Sequence, residues 1–142
     1  MSSRILIVDD EPANIALLEA ILLDVADETL GVTDSKAVEQ AFNDFMPDLV
    51  LLDLHMPKPD GFEIMRRLRR IRESQDFIPV IVLTGDDSDV ARVNALSIGA
   101  DDFLTKPLDR KQVVSRVRRL LTTRHLFMGT HGVERQTQHT SG

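Results

Sequence analysis

The sequence predicts an α/β domain in which a parallel β-sheet is covered by helices on both faces. Three nearly continuous apolar runs, at residues 4–8, 48–52 and 79–83, have the pattern of strands that are buried on both sides. Longer segments of helical character separate these runs, and such an alternation of strands and helices is typical of parallel sheets. A chain of 142 residues, of which 42% are hydrophobic, can form one core of ordinary domain size.

Each predicted strand is short. The strands lie at residues 4–8, 28–32, 48–52, 79–83 and 102–105. The first, third and fourth are almost entirely apolar, which is the strongest strand signal in the chain. The second and fifth are weaker candidates, and they are supported by their positions between helical segments.

Each predicted helix follows one of these strands. The helices lie at about residues 12–24, 35–45, 61–73, 88–98 and 109–124. Pro12 suits a first helical turn, and Ser35 and Ser88 are suitable N-caps. Residues 13–23 are almost all apolar, so this helix offers more apolar surface than one sheet-facing stripe requires. The excess is covered either by neighbouring elements or by a partner helix.

Composition excludes several classes of function. Without cysteine, the chain has no disulfide, thiolate metal site or cysteine nucleophile. The net charge of −6 disfavours binding to nucleic acid, and the arginine-rich residues 66–72 lack aromatic residues for base stacking, so we interpret them as a solvated helix face. No apolar run is long enough to span a membrane and no signal peptide is evident, so we expect a cytoplasmic protein.

The end of the chain differs from the rest. Residues 129–142 include one apolar residue, Val133, and cannot bury enough surface to fold alone. We therefore expect a folded domain at residues 1–124, followed at 125–142 by a polar tail or a truncated linker.

Polar residues follow the apolar strands directly. Asp9 and Asp10 follow the first strand, Asp53 the third, Thr84 the fourth and Lys106 the fifth. Because ligands bind at the carboxyl ends of parallel strands, we expect these residues to gather at one edge. Crowded carboxylates repel one another unless they share a cation, and an oxygen-only set suits Mg²⁺. A lysine and a hydroxyl nearby suit a phosphoryl group, so the sequence predicts a site for phosphoryl transfer.

Four motifs occur in a fixed order at the ends of four predicted strands. They are VDDEP at 8–12, LDLHMPKPDG at 52–61, LTG at 83–85 and FLTKP at 103–107. In order and spacing they resemble the receiver domain of two-component response regulators, over residues 4 to about 124. The resemblance implies a flavodoxin-like receiver fold, with a five-stranded parallel sheet of order 2-1-3-4-5.

The resemblance also implies a phosphoacceptor site that depends on Mg²⁺. Asp53 is expected to be the nucleophile, and to accept a phosphoryl group from a histidine kinase or a histidine phosphotransfer protein. Mg²⁺ is expected to be held by Asp10, by Asp53 and by the backbone carbonyl of His55, and by Asp9 mainly through water. Such a protein is not an enzyme for an external substrate, because it catalyses only its own phosphorylation and dephosphorylation.

The same resemblance implies how phosphorylation is sensed. Thr84 would donate its hydroxyl to the phosphoryl group, Lys106 would pair with it, and the bond from Lys106 to Pro107 would be cis. Phe103 matches the aromatic switch residue of the family. Helix four (88–98), strand five and helix five (109–124) would then form the face through which receivers form homodimers or bind an output partner.

Other interpretations of these residues are open. Asp9 and Asp10 alone suit a helix N-terminus, and Phe103 alone suits a core. The His55 side chain either tunes phosphoaspartate hydrolysis or simply faces solvent. A pseudo-receiver, which acts without phosphorylation as a protein interaction module, is the alternative function. It would be expected to lack one of the site residues, and none is missing.

Overall fold

A computed structural model gives the arrangement of the chain. It describes the backbone of residues 3–56, 60–72, 77–85, 94 and 96–141, and the side chains of the same residues except 71–72 and 129–141. Most of the predicted helix 88–98, including Ser88, lies outside the described residues. The described residues Asn94, Leu96 and Ser97 within that range are helical.

The strands form one parallel sheet. They are β1 (Arg4–Val8), β2 (Glu28–Val32), β3 (Leu49–Asp53), β4 (Val80–Thr84) and β5 (Asp102–Thr105). Their order is β2-β1-β3-β4-β5, and each neighbouring pair is parallel, which confirms the predicted fold. Strands β3 and β4 are each shifted by one residue from the prediction. Asp53 and Thr84 are consequently the last residues of their strands rather than the first residues of the loops.

The helices cover both faces of the sheet. Among the described ranges, apart from the helical residues near 94–97, they are α1 (Pro12–Ile21), α2 (Val38–Phe45), α3 (Gly61–Arg72) and the C-terminal helix (Arg110–Ser141). Pro12 begins α1 as predicted. A short 3-10 turn, Ser35–Ala37, precedes α2, and its cap is Asp34 rather than Ser35. The Asp34 side chain accepts a hydrogen bond from the Lys36 backbone N–H at 3.0 Å, whereas Ser35 is buried.

The sheet separates two apolar clusters. Successive side chains of a strand point to opposite faces. In β1, Leu6 and Val8 therefore join a cluster with α2 and α3, while Ile5 and Ile7 join a second cluster with α1 and the C-terminal helix. All five residues of β3 and of β4 are buried, as the continuous apolar runs predict. Only the ends of these central strands can thus present polar groups to a ligand.

The C-terminal helix is longer than predicted. We expected a helix to about residue 124 and a polar tail after it, but the helix continues to Ser141. Extending an existing helix adds one hydrogen bond per residue and needs no new nucleus, so the polar composition does not prevent it. The helix contacts the domain through an ion pair between Arg124 and Asp48 at 3.1 Å and a ring contact between Phe127 and Phe77. The boundary between a domain at 1–124 and a separate segment at 125–142 stays a prediction.

No membrane-spanning helix is found in the described part of the chain. The C-terminal helix is 32 residues long, but its sequence is too polar to cross a bilayer.

Gly61 brings α3 close to the end of β3. A Cβ atom at this position would lie 2.5 Å from the Asp53 carbonyl oxygen and 2.5 Å from the Leu54 Cα atom. Real Cβ atoms do not approach backbone so closely, and backbone cannot rotate away as a side chain can. The Gly61 N–H also donates to the Leu54 carbonyl oxygen at 3.3 Å. Gly61 therefore allows α3 to begin directly against the strand that ends in Asp53.

We predict that Gly61→Ala lowers the free energy of unfolding by about 1–3 kcal/mol, because the added methyl group forces α3 away from β3. Urea unfolding followed by far-ultraviolet circular dichroism measures the change. Gly85→Ala is the matched control, since a Cβ atom there meets nothing within 4 Å. Equal stability of the two variants would contradict the close approach.

Candidate functional site

The carboxyl edge of the sheet gathers polar residues that are otherwise rare in the interior. The buried polar residues in the described part of the chain are Asp9, Ser35, Asp53 and Thr84. All except Ser35 lie at this edge. Asp53 ends β3 and Thr84 ends the neighbouring β4, while Asp9 directly follows β1. Buried polar groups are costly unless they are paired, so this concentration at one edge marks the candidate site.

Three carboxylates converge at this edge. Oxygen atoms of Asp9, Asp10 and Asp53 all lie within 4.8 Å of one another. Asp9 and Asp53 are buried, whereas Asp10 is exposed, so the group opens to solvent on the Asp10 side. Carboxylate oxygens without histidine or cysteine ligands suit a hard cation such as Mg²⁺.

Lys106 supplies the positive charge next to these acids. Its Nζ atom lies 3.1 Å from Asp9 Oδ2 and 3.6 Å from Asp53 Oδ2. The Lys106 backbone N–H donates to the Thr84 carbonyl oxygen at 2.8 Å, which fixes the start of the loop after β5. The peptide bond to Pro107 is cis, as predicted. One ammonium group is thus shared between two buried carboxylates.

Hydrogen bonds orient the two buried carboxylates. Asp9 accepts from the Glu11 backbone N–H at 2.9 Å and from the Asn14 amide at 3.2 Å. Asp53 Oδ1 accepts from the His55 backbone N–H at 3.0 Å, which leaves Oδ2 on the side of Lys106. The contribution of Asn14 was not predicted. Its position one helical turn after Asp10 is the only sequence signal for it.

The surroundings shift the pKa values of two of these groups. Burial, the largest effect, raises the pKa of Asp53 above its usual value of 3.8. The Asp9 and Asp10 carboxylates raise it further, against the opposing effects of the His55 N–H and Lys106. Burial alone would lower the pKa of Lys106. The hydrogen bond to Asp9 and the attraction of the nearby carboxylates outweigh burial, so the pKa of Lys106 lies above its usual value of 10.5.

His55 contacts both Asp53 and Thr84. Besides its backbone bond to Asp53, its ring Nε2 atom lies 3.2 Å from Thr84 Oγ1, within hydrogen-bond distance. The residue is exposed, so the imidazole lies at the rim of the site rather than within it. Sequence reasoning left the side chain without a definite role, and the contact with Thr84 was not foreseen. The use of its carbonyl as a metal ligand stays a prediction.

Phe103 lies in β5, where it pairs with Val82 of β4, two residues before Thr84. It is half-buried and packs against the apolar cluster under α2 and α3. Arg116 of the C-terminal helix donates to its carbonyl oxygen at 2.9 Å. Sequence reasoning missed Arg116, because nothing in the spacing of one arginine among several on a helix distinguishes it.

Comparisons with known proteins identify the family to which the chain is similar. A family profile described as the response regulator receiver domain matches residues 5–118. The chain is 40% identical to the transcriptional regulatory protein TrcR of Mycobacterium tuberculosis, over 83% of this chain and 45% of that protein. It is 43% identical to the response regulator PleD of Caulobacter vibrioides, over 84% of this chain and 26% of that protein. The chain thus spans about a quarter to a half of the length of these relatives.

Solved structures give the same result. The signal receiver domain of a putative Luxo repressor protein from Vibrio parahaemolyticus superposes with a TM-score of 0.80 at 25% identity, covering 89% of this chain and 95% of that one. NtrX from Brucella abortus superposes with a TM-score of 0.83 at 29% identity, covering 94% of this chain and 30% of that one. The chain therefore belongs to the response regulator receiver domain family of two-component signalling systems.

Proposed function

We propose that this receiver accepts a phosphoryl group on Asp53 from a histidine kinase or a histidine phosphotransfer protein, and that the phosphorylated form controls an output partner or domain. The observation that carries the proposal is a buried Asp53 carboxylate with the Lys106 ammonium 3.6 Å from its Oδ2 atom and two further acids beside it. A carboxylate with only a structural role would not require a lysine and two further acids beside it at the carboxyl edge of the sheet.

The proposed step is a phosphoryl transfer between two protein side chains. An oxygen of Asp53 forms a bond to phosphorus while the bond from phosphorus to the donor histidine nitrogen breaks, and the nitrogen keeps the electron pair. The His55 N–H holds one carboxylate oxygen in place during this step. Lys106 offsets the negative charge of the incoming group, and the Thr84 hydroxyl donates to one of its oxygens.

The acid cluster fits Mg²⁺. Asp10, Asp53 and the His55 carbonyl would hold the ion, which when bound would neutralise charge on the phosphoryl oxygens. Asp9 already accepts hydrogen bonds from Glu11 and Asn14 and pairs with Lys106. These contacts support the mainly indirect, water-mediated role of Asp9 that the family resemblance implies.

A conformational signal is the second part of the proposal. A phosphoryl group adds charge and acceptor oxygens beside Thr84, so the Thr84 hydroxyl moves toward it and leaves space into which the Phe103 ring turns. This movement would change the face formed by the predicted helix 88–98, β5 and the C-terminal helix, where a homodimer or an output partner would bind. Since residues 88–98 lie mostly outside the described residues, the support comes from β5 and the C-terminal helix.

Donor recognition is proposed to involve α1. Its residues Ile15, Leu18 and Ile21 are buried against the sheet, but Leu17 is 45% exposed and Leu23, just beyond the helix, is 77% exposed. Exposed leucines at this position support docking of an apolar helix from the donor protein. The proposal retains the cytoplasmic location and the absence of nucleic-acid binding by this chain that the sequence predicts.

We predict that Asp53→Asn folds but does not gain a phosphoryl group from acetyl phosphate and Mg²⁺, because the amide cannot act as the nucleophile. Intact mass spectrometry measures the added phosphate. Asp44→Asn, an exposed position on α2, is the control and should label like the wild type. Labelling of Asp53→Asn at the wild-type level would exclude Asp53 as the acceptor, and an unlabelled wild type would support the pseudo-receiver.

We predict that Mg²⁺ binds with a dissociation constant of roughly millimolar size, as expected for a few carboxylates and several retained waters. Asp10→Ala should weaken binding by about tenfold or more, since it removes a charged ligand. Because the chain has no tryptophan or tyrosine, calorimetry is preferable to intrinsic fluorescence. An Asp10→Ala isotherm equal to that of the Asp44→Ala control would rule out the metal assignment.

We predict that, without divalent cations, Asp53→Asn has a larger free energy of unfolding than the wild type at neutral pH. The folded protein raises the pKa of Asp53, so it binds more protons than the unfolded chain between pH 3.8 and the folded pKa. Stability due to Asp53 is therefore lost as the pH rises through this window. Urea unfolding as a function of pH should show that the difference in free energy of unfolding between Asp53→Asn and the wild type shrinks toward pH 4. Added Mg²⁺ should reduce this difference at neutral pH. A wild type as stable as the variant at every pH would contradict the cost of the buried charge.

A further inference from the structure

Arg116 contacts Phe103 in two ways. Its Nη1 atom donates to the Phe103 carbonyl oxygen at 2.9 Å, and its guanidinium carbon lies 5.5 Å from the centroid of the Phe103 ring. The second distance is within the range in which a guanidinium is attracted to an aromatic ring. The C-terminal helix is thus connected to both the backbone and the side chain of the same residue of β5.

Asp102 fixes the guanidinium in this position. Its Oδ2 atom lies 3.6 Å from Arg116 Nε and also pairs with Arg119 Nη2, while its Oδ1 atom accepts from the Phe103 backbone N–H at 2.8 Å. The Asp102 side chain is only 13% exposed, and that of Arg116 is 28% exposed. Both charges are therefore partly shielded from water, which strengthens their interactions relative to those of freely solvated groups.

We propose that Arg116 is a positioning residue that favours the present, half-buried position of the Phe103 ring and so limits the response of the receiver to phosphorylation. The inference rests on the proposed function, because it concerns the conformational change that follows phosphorylation of Asp53. Neither the family resemblance nor the residues of the phosphoacceptor site assign a role to Arg116.

The physical reason lies in which contacts depend on the ring. The hydrogen bond to the Phe103 carbonyl and the pairing with Asp102 involve groups that stay in place when the side chain rotates. The contact between guanidinium and ring is lost when the ring turns toward the space behind Thr84. Arg116 therefore stabilises the unphosphorylated arrangement relative to the phosphorylated one, and its removal shifts the population toward the latter.

Binding of beryllofluoride with Mg²⁺, a stable mimic of the phosphoryl group, tests the inference by calorimetry. Arg116→Met keeps a flexible apolar side chain but removes the charge, and it should raise the affinity for beryllofluoride by about two- to fivefold, the range expected for an exposed or partly exposed cation–ring contact. Arg119→Met is the matched control, since it removes the other partner of Asp102 and leaves the contact between Arg116 and the Phe103 ring in place. It should leave the affinity at the wild-type value.

A double substitution separates positioning from general stabilisation. In a Phe103→Leu background there is no ring to contact, so adding Arg116→Met should no longer change the affinity. Arg116→Lys keeps a cation near the ring and should give a smaller gain in affinity than Arg116→Met. Because it is the more conservative change, it also tests the inference if Arg116→Met does not fold. An equal effect of Arg116→Met with and without Phe103, or an equal effect of Arg119→Met, would overturn the inference.

Fluorine NMR of protein containing 4-fluorophenylalanine distinguishes failure of this inference from failure of the proposed function. The Phe103 signal is assigned among the six phenylalanines by its loss in Phe103→Leu. Arg116→Met should shift this signal in the absence of beryllofluoride, and an unshifted signal would overturn the role of Arg116. A wild type that binds no beryllofluoride would instead refute the proposed function, whatever the position of the signal.

Discussion

The burial of two carboxylates beside one ammonium group is the constraint on which the site depends. Asp9 and Asp53 are almost inaccessible to water, and such charges are stable only when paired and hydrogen-bonded. Their partner Lys106 comes from the far side of β4, so the parallel order of β1, β3, β4 and β5 must be complete before the pairing forms. The close approach of Gly61 to the end of β3 is part of the local structure that holds Asp53 in this position.

The sequence was informative where burial leaves a simple pattern. Strands covered on both faces are continuously apolar, so β1, β3 and β4 were located to within one residue, and the polar residues that follow them were assigned to one edge. The ends of β3 and β4 were predicted one residue too early, because an apolar run does not indicate whether the polar residue after it, Asp53 or Thr84, still belongs to the strand. Contacts between side chains that are far apart in the sequence, such as the contact of the His55 ring with Thr84, leave no sequence pattern.

The length of the C-terminal helix shows a different limit. Its composition after residue 128 lacks the apolar residues on which prediction depends, apart from Val133, yet its backbone bonds require only the preceding turn. Arg116 illustrates the same point for side chains, since its neighbours on the helix are also arginines. Only the position of the helix against β5 distinguishes the arginine that contacts Phe103 from Arg118 and Arg119.

The two apolar clusters on opposite faces of the sheet have a consequence for how such a protein can diversify. In the described part of the chain, the buried side chains on the α1 side and on the α3 side belong to separate clusters, so changes on the two sides should combine additively. If a donor docks on α1 as proposed, changes there could alter which donor is recognised without repacking the core on the α3 side.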